Sequence, residues 1–263
     1  MRSPFNSSKI WITLDVEELK SSNFDLGIKN SSSIDYDKLI QNWIEICNQL
    51  NILSTCFILG EFAQKFPYLV KKLHEHGHEI ASHGMDHRLV NKMTINDWEK
   101  SIVDSKNLLE NITGKKIYGY RSASWSMPSS LKYYEILAKN GYKYSSSYFP
   151  FKTYMYGNSE DKKDPFTIST SFGDITEIPI PKFLVPFSGG FYFRVLPIFI
   201  LKLLFNKIIL SGHKPVFYIH PYELDNNNLL KRYIGISKFN LDYLLAFFST
   251  SNVMKKIFKV LKE

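Results

Sequence analysis

The chain has 263 residues, of which 44% are hydrophobic and 15% aromatic, and it carries a formal net charge of +8. That composition supplies one large core or two small ones and excludes a disordered chain, which is poor in both classes. The cations come singly or in pairs (Lys71-Lys72, Lys115-Lys116, Lys162-Lys163, Lys255-Lys256); this argues against nucleic acid and favours an anionic membrane surface or a phosphate-bearing substrate.

Lys9 to Val16 is a β-branched and aromatic run that predicts strand one. The apolar part, Ile10 to Leu14, meets Asp15 and Glu17 too soon for a signal peptide, so a cytoplasmic protein is expected. A polar connection from Ser21 to Ser33 precedes a helix in which Leu39, Ile40, Trp43, Ile44, Cys47 and Leu50 recur at helical spacing, with Asp35 as its cap. Ser54 to Leu59 predicts strand two, ended by Gly60. Glu61 to His76 is helical with a break at Pro67 and a stop at Gly77. Cys47 and Cys56 fall inside apolar patterns and read as reduced core residues.

Glu79 to Ser82 predicts strand three, leading directly into His83 and His87. Thr94 and Asp97 open a long helix bearing Ile95, Trp98, Ile102, Leu108, Leu109 and Ile112, which ends near Gly114. Lys116 to Tyr120 predicts strand four, running into Arg121; Ser129 to Asn140 is a helix stopped by Gly141, and Tyr142 to Ser146 is strand five. Tyr148 to Phe172 has no clear period and reads as a long loop with room for a hairpin. Thr176 to Ile180 predicts strand six, Leu196 to Leu210 an apolar helix, Pro215 to His220 strand seven, and Leu241 to Phe248 and Met254 to Leu261 two last helices. Between Phe183 and Leu210 the breaks at Gly189-Gly190, Arg194, Lys202 and Lys207 leave no uncharged run near the ~20 residues a bilayer span needs. The alternation of strand and helix without a linker predicts a single α/β domain with a parallel sheet.

If that sheet closes, Asp15, Glu17, His83, His87, Arg121 and His220 all stand at or just beyond strand C-termini, the rim where barrel enzymes place their chemistry. Two imidazoles and a carboxylate suffice for a zinc site with a position left for water, so His83, His87 and Glu17 are the candidate ligands. Asp15, two residues before Glu17, is the candidate general base. Arg121 would keep it ionised, and His220 is the candidate general acid. Together they describe metal-assisted hydrolysis of an amide or ester.

The motifs Asp15-x-Glu17, Ser82-His83-x-x-x-His87, Gly119-Tyr120-Arg121, Tyr144-x-Ser146-Ser147 and Ile219-His220-Pro221, in that order, resemble those of the polysaccharide deacetylases of carbohydrate esterase family four, which share the nodulation-type chitooligosaccharide deacetylase homology domain. The likeness runs from about residue 10 to 225, leaving 226–263 as a helical extension. Gly189-Gly190-Phe-Tyr-Phe-Arg194 and His220-Pro-Tyr-Glu223 are similar to a branch found in exopolysaccharide and lipopolysaccharide clusters. The resemblance implies a distorted seven-stranded (β/α) barrel, a zinc-like divalent cation and removal of N-acetyl groups from amino sugars. By position it assigns Asp15 as base, Arg121 as its partner, His220 as acid, Glu17, His83 and His87 as ligands, and a backbone N–H near Ser124 to the oxyanion. Trp125 and Tyr222 are candidates to stack on sugar or to pack in the core.

Three positions depart from the family pattern. Glu17 stands where relatives have aspartate, with Glu18 as a rival ligand; Ala123 replaces a proline; and Ser145 replaces an aspartate. Loss of that aspartate implies a lower pKa for His220 or a shifted pH optimum. The expected substrate is an acetamido sugar of a surface polysaccharide or of its precursor, the latter nucleotide- or lipid-linked. The alternatives are a deformylase or deacylase of a lipid-linked amino sugar at the inner membrane face, with peripheral membrane contact through Arg194 to Lys207, and an inactive carbohydrate-binding homologue. His74, His76 and His78, around Gly77, read as solvated or cationic side chains rather than a metal cluster.

Overall fold

A computed structural model describes the chain apart from residues 1–4, 6–8, 23–24, 29–32, 152–156, 159, 184–186, 226–229, 231–232, 237–238, 240, 248–251 and 262–263. Its main elements, in chain order, are β1 (Trp11–Val16), α1 (Tyr36–Leu50), β2 (Thr55–Ile58), α2 (Gly60–Lys65), α3 (Pro67–Glu75), β3 (Glu79–Ser82), α4 (Ile95–Thr113), β4 (Gly119–Tyr120) and α5 (Leu131–Lys139). There follow β5 (Tyr144–Ser145), β6 (Phe166–Thr170), β7 (Gly173–Glu177), α6 (Gly190–Val195), α7 (Ile198–Leu210), β8 (Val216–Ile219), α8 (Leu241–Phe247) and α9 (Val253–Leu261). Two compact units result, Met1–Ser54 with Phe183–Glu263, and Thr55–Lys182.

In the first unit β1 and β8 pair in parallel, Trp11 opposite Val216 and Leu14 opposite Ile219. Both strands are buried throughout, as expected of parallel strands covered on both faces. The apolar stripe of α1 (Leu39, Ile40, Trp43, Ile44, Cys47) faces inward, and Asp35 accepts the Lys38 amide at 3.0 Å as its cap. At the other end of the unit, Lys256 of α9 donates to the carbonyl oxygens of Phe193, Arg194 and Leu196. A cation thereby satisfies acceptors that the C-terminus of α6 leaves without intrahelical partners.

The second unit holds strands in the order β6-β7-β5-β4-β3-β2, parallel except for the β6–β7 pair. Long α4 begins at Thr94, whose hydroxyl accepts the Asp97 amide, and stops at Gly114 with φ of 65°. Trp98 on its inner face donates to the Tyr120 hydroxyl at 2.9 Å, tying α4 to β4. Pro67 at the first position of α3 splits the predicted helix, as its missing N–H allows.

Several boundaries differ from expectation. Eight strands stand among the described residues where seven were expected, because Phe166–Thr170 pairs antiparallel with β7 inside the segment predicted as a loop. Strand six falls at Gly173–Glu177, earlier than Thr176 to Ile180. Strands four and five shrink to two residues each. A short helix, α6, precedes the predicted apolar one. Phe248 and residues 226–229 of the expected extension lie outside the described residues. His78 is buried rather than solvated, and burial pulls its pKa down to about 4.

Candidate functional site

The first unit carries Asp15, Glu17, His220 and Tyr222. Asp15 and Glu17 lie at the end of β1, both nearly inaccessible. Glu18, the rival ligand, pairs with Lys20 at 3.2 Å, whereas Glu17 Oε1 lies 4.0 Å from His220 Nε2. His220 follows β8 and caps a short turn in which Pro221 sets the first position. Glu223, three residues on, accepts both the His220 backbone N–H and its Nδ1–H at 3.0 Å. The other Glu223 oxygen accepts from Arg194, and this ion pair is fully buried. Arg194 and His220 hold the Glu223 carboxyl below its ordinary range against the opposing effect of burial.

Burial alone would lower the His220 pKa. The hydrogen bond to Glu223, with the charges of Glu17, Glu223 and Asp15, more than offsets it and raises the value above that of a free histidine. The lowering implied by Ser145 is therefore not found, because the carboxylate on this imidazole comes from the histidine's own turn. Tyr222 is buried with its ring stacked on His220, centroids 4.9 Å apart. Its ring backs the imidazole.

The second unit carries His83, His87, Arg121, Ser124 and Trp125. The backbone after β3 is laddered onto the end of β2: His83 N–H donates to the Ile58 carbonyl, Gly60 N–H to Gly84 and Glu61 N–H to Met85. A Cβ at Gly60 would stand 2.2 Å from Met85 Sδ and 3.0 Å from its Cα, so the Met85 side chain would have to move. Gly84, at φ of +86°, then turns the chain so that the His83 and His87 rings approach to 5.6 Å between centroids. The predicted pair is thus brought together by a loop. His83 donates Nδ1–H to the Arg121 carbonyl at 2.8 Å, which fixes the tautomer and leaves Nε2 as the lone-pair nitrogen. That is the form a metal ligand needs.

Arg121 is completely buried, its guanidinium bonded to the Ser146 carbonyl and hydroxyl and stacked 4.1 Å from the Phe57 ring centroid. Ser145 and Ser147 hydroxyls share a 2.9 Å hydrogen bond, Ser147 Oγ accepts the Ser122 N–H, and the Ser147 and Tyr148 amides donate to buried Glu177. This serine network fixes the turn Ser122–Ser126, where Ser124 and Trp125 both have positive φ (48° and 50°). Such backbone costs of order 1 kcal/mol per residue and persists only where its surroundings impose it. Trp125 is buried against Phe149 at 5.1 Å and, like Tyr222, packs in the core.

Arg194, Glu223, Ser146, Ser147 and Glu177 were not singled out as site residues. The offset of three from His220 to Glu223, with proline between them, is the one local signal, that of a capping box. Arg194, Ser146 and Ser147 stand in motifs marked by family resemblance but given no role there, and nothing local marks Glu177.

A family profile described as polysaccharide deacetylase matches residues 17–145, and one described as a domain of unknown function (DUF3473) matches residues 146–263. A peptidoglycan deacetylase of Helicobacter pylori is 28% identical over 108 residues, 41% of this chain and 36% of that protein. A peptidoglycan-N-acetylglucosamine deacetylase of Bacillus cereus is 33% identical over 66 residues, 25% of this chain and 24% of that one. The aligned parts thus span about a third or less of these relatives. Among solved structures, a probable polysaccharide deacetylase from Pseudomonas aeruginosa PAO1 aligns with a TM-score of 0.58 at 16% identity, covering 98% of this chain and 95% of its own. PuuE allantoinase gives 0.58 at 15% identity, covering 98% and 94%. These likenesses establish the α/β barrel fold. The stretch that holds His83, His87 and Arg121, residues 17–145, thus matches the polysaccharide deacetylase family.

Proposed function

We propose that this protein is a metal-dependent amide hydrolase that removes an N-acetyl group from an amino sugar of a surface polysaccharide or its nucleotide- or lipid-linked precursor. The observation that carries the reading is a shared tautomer. His83 and His220 each commit Nδ1 to an acceptor, the Arg121 carbonyl and the Glu223 carboxylate, so in each ring Nε2 is the nitrogen assigned to the chemistry. The peptidoglycan deacetylases it resembles support the substrate class.

Glu17, His83 and His87 would hold the cation, with zinc the best match to a carboxylate and two imidazoles. A bound divalent metal supplies an acidified water and polarises the amide carbonyl. Asp15 takes the proton from the attacking water as a C–O bond forms, with Arg121 as its charge partner. N–H groups of the strained Ser124 turn face the developing oxyanion. His220 gives its Nε2 proton to the amine nitrogen as the C–N bond breaks, releasing acetate and a free amino sugar. Glu223 then holds the imidazole for reprotonation from solvent.

The test is metal content and acetate release from N-acetylated glucosamine oligomers and peptidoglycan fragments. Wild-type protein is expected to hold about one metal per chain, and His83→Ala to lose metal and activity together. A metal-free mutant that still releases acetate would overturn the mechanism. Sugar binding without acetate release at any pH, with metal restored, would favour the carbohydrate-binding alternative.

A further inference from the structure

Helix α7 is apolar on both faces, yet only one is covered. Leu201, Leu204, Phe205 and Ile208 are buried in the first unit. On the other face, at spacings of three and four, stand Phe199, Lys202, Leu203, Asn206, Lys207 and Leu210, all exposed. Phe199 is 72% accessible, Leu203 65% and Leu210 87%. Large apolar side chains scattered singly over a surface need no explanation; a stripe of three on one helix does.

Charge decides what could cover it. No aspartate or glutamate occurs between Glu177 and Glu223, while Lys182, Lys202, Lys207 and Lys214 do. Lys202 and Lys207 lie on the exposed face itself, Lys207 with its ammonium 4.1 Å from the Phe183 ring centroid. Apolar side chains interleaved with lysines and free of acids suit the headgroup boundary of an anionic bilayer, where rings and aliphatic chains enter the acyl region and ammonium groups meet lipid phosphates. A second copy of the chain is a poor occupant. Two-fold pairing of this face would oppose lysines with no acid to meet them. Nor does the helix cross the membrane: its 13 residues reach only about 20 Å, and its inner face is already packed.

We propose that the Phe199–Leu210 face of α7 seats the protein peripherally on an anionic lipid bilayer, the helix lying in the plane of the surface. This surface belongs wholly to the first unit and does not depend on the catalytic reading.

The experiment is flotation of the full-length chain with phosphatidylcholine vesicles, with and without 30% phosphatidylglycerol, beside Phe199→Ser/Leu203→Ser and Lys202→Glu/Lys207→Glu variants. Wild-type protein should float with the anionic vesicles alone and be released by 0.5 M salt. The charge-reversal variant should bind roughly tenfold or more weakly, and the serine variant should also lose most binding. Circular dichroism melts should be unchanged, because these side chains are exposed. Absence of flotation at low salt, equal binding to neutral vesicles, or variants that float like wild type would overturn the proposal. So would a dimer in light scattering that either variant dissolves. Acetate release from a soluble substrate should persist in both variants, so failure here is distinct from failure of the proposed function.

Discussion

The two units each set polar side chains at the ends of parallel strands, and they hold them by different forces. In the first unit the histidine is held by charge, through the run Arg194, Glu223, His220 and Glu17. In the second the histidines and the arginine are held by backbone carbonyls and serine hydroxyls. A buried ion pair is intolerant of losing one member, because the partner's charge has already been taken out of water. A neutral network loses one hydrogen bond at a time. Stability in the first unit should therefore respond to charge, and in the second mainly to shape.

The largest effect expected from breaking this contrast is at the buried pair. Arg194→Ala or Glu223→Ala should each cost about 3–5 kcal/mol, whereas the double variant Arg194→Met/Glu223→Leu should come close to wild type. Urea denaturation of the three variants checks this. A double variant as weak as the singles would show that the pair is not a self-contained charge unit.

Acid sharpens the contrast. A histidine buried neutral and held near pKa 4 binds its proton later than the unfolded chain, whose value is near 6.5. His78 therefore stabilises fully above about pH 6.5, and that contribution, roughly 3 kcal/mol, disappears as pH falls toward 4. The depressed carboxyl of Glu223 has the same sign in a lower window: its contribution is present above the ordinary glutamate value and is lost as pH falls through its own. Denaturation of wild type and His78→Leu at pH 7, 5.5 and 4.5 should show a flatter profile for the variant. An unchanged slope would remove His78 from the account.

Shape is tested at two glycines. A Cβ at Gly189 would stand 2.2 Å from the Tyr218 carbonyl oxygen, in the strand that delivers His220, and one at Gly119 the same distance from the Tyr144 ring. Each change to alanine should cost about 1–3 kcal/mol by overpacking. Gly189 should be the more sensitive, since backbone yields less than a ring. The smallest effect is the α4 cap: Thr94→Ala should cost about 1 kcal/mol, read as a shift in thermal midpoint.

Much of this arrangement is legible in the chain as written. The first three strands lie within two residues of their predicted limits, because short buried apolar runs ending in polar residues have few other solutions. The α4 start at Thr94 and its stop at Gly114 follow from capping chemistry alone. Strand β6 was legible only as room for a hairpin: Phe166–Thr170 is an edge strand, alternately exposed, and its polar pattern looks like a loop until β7 supplies a partner. The depressed pKa of His78 was equally hidden, since the sequence shows a helix end and only packing shows the burial.

The order of the polar motifs, and the chemical types of the groups offered for binding a cation or moving a proton, are fixed in the chain before it folds. Those depend on side-chain chemistry and local spacing, which the chain carries wherever it folds. Folding was needed to show that Glu223 rather than a residue at position 145 supports His220, and that Arg194, 29 residues from Glu223, completes the pair. Which neighbour reaches a buried charge depends on how distant segments pack, and the free energy of leaving that charge without a partner selects among packings only once water has been excluded.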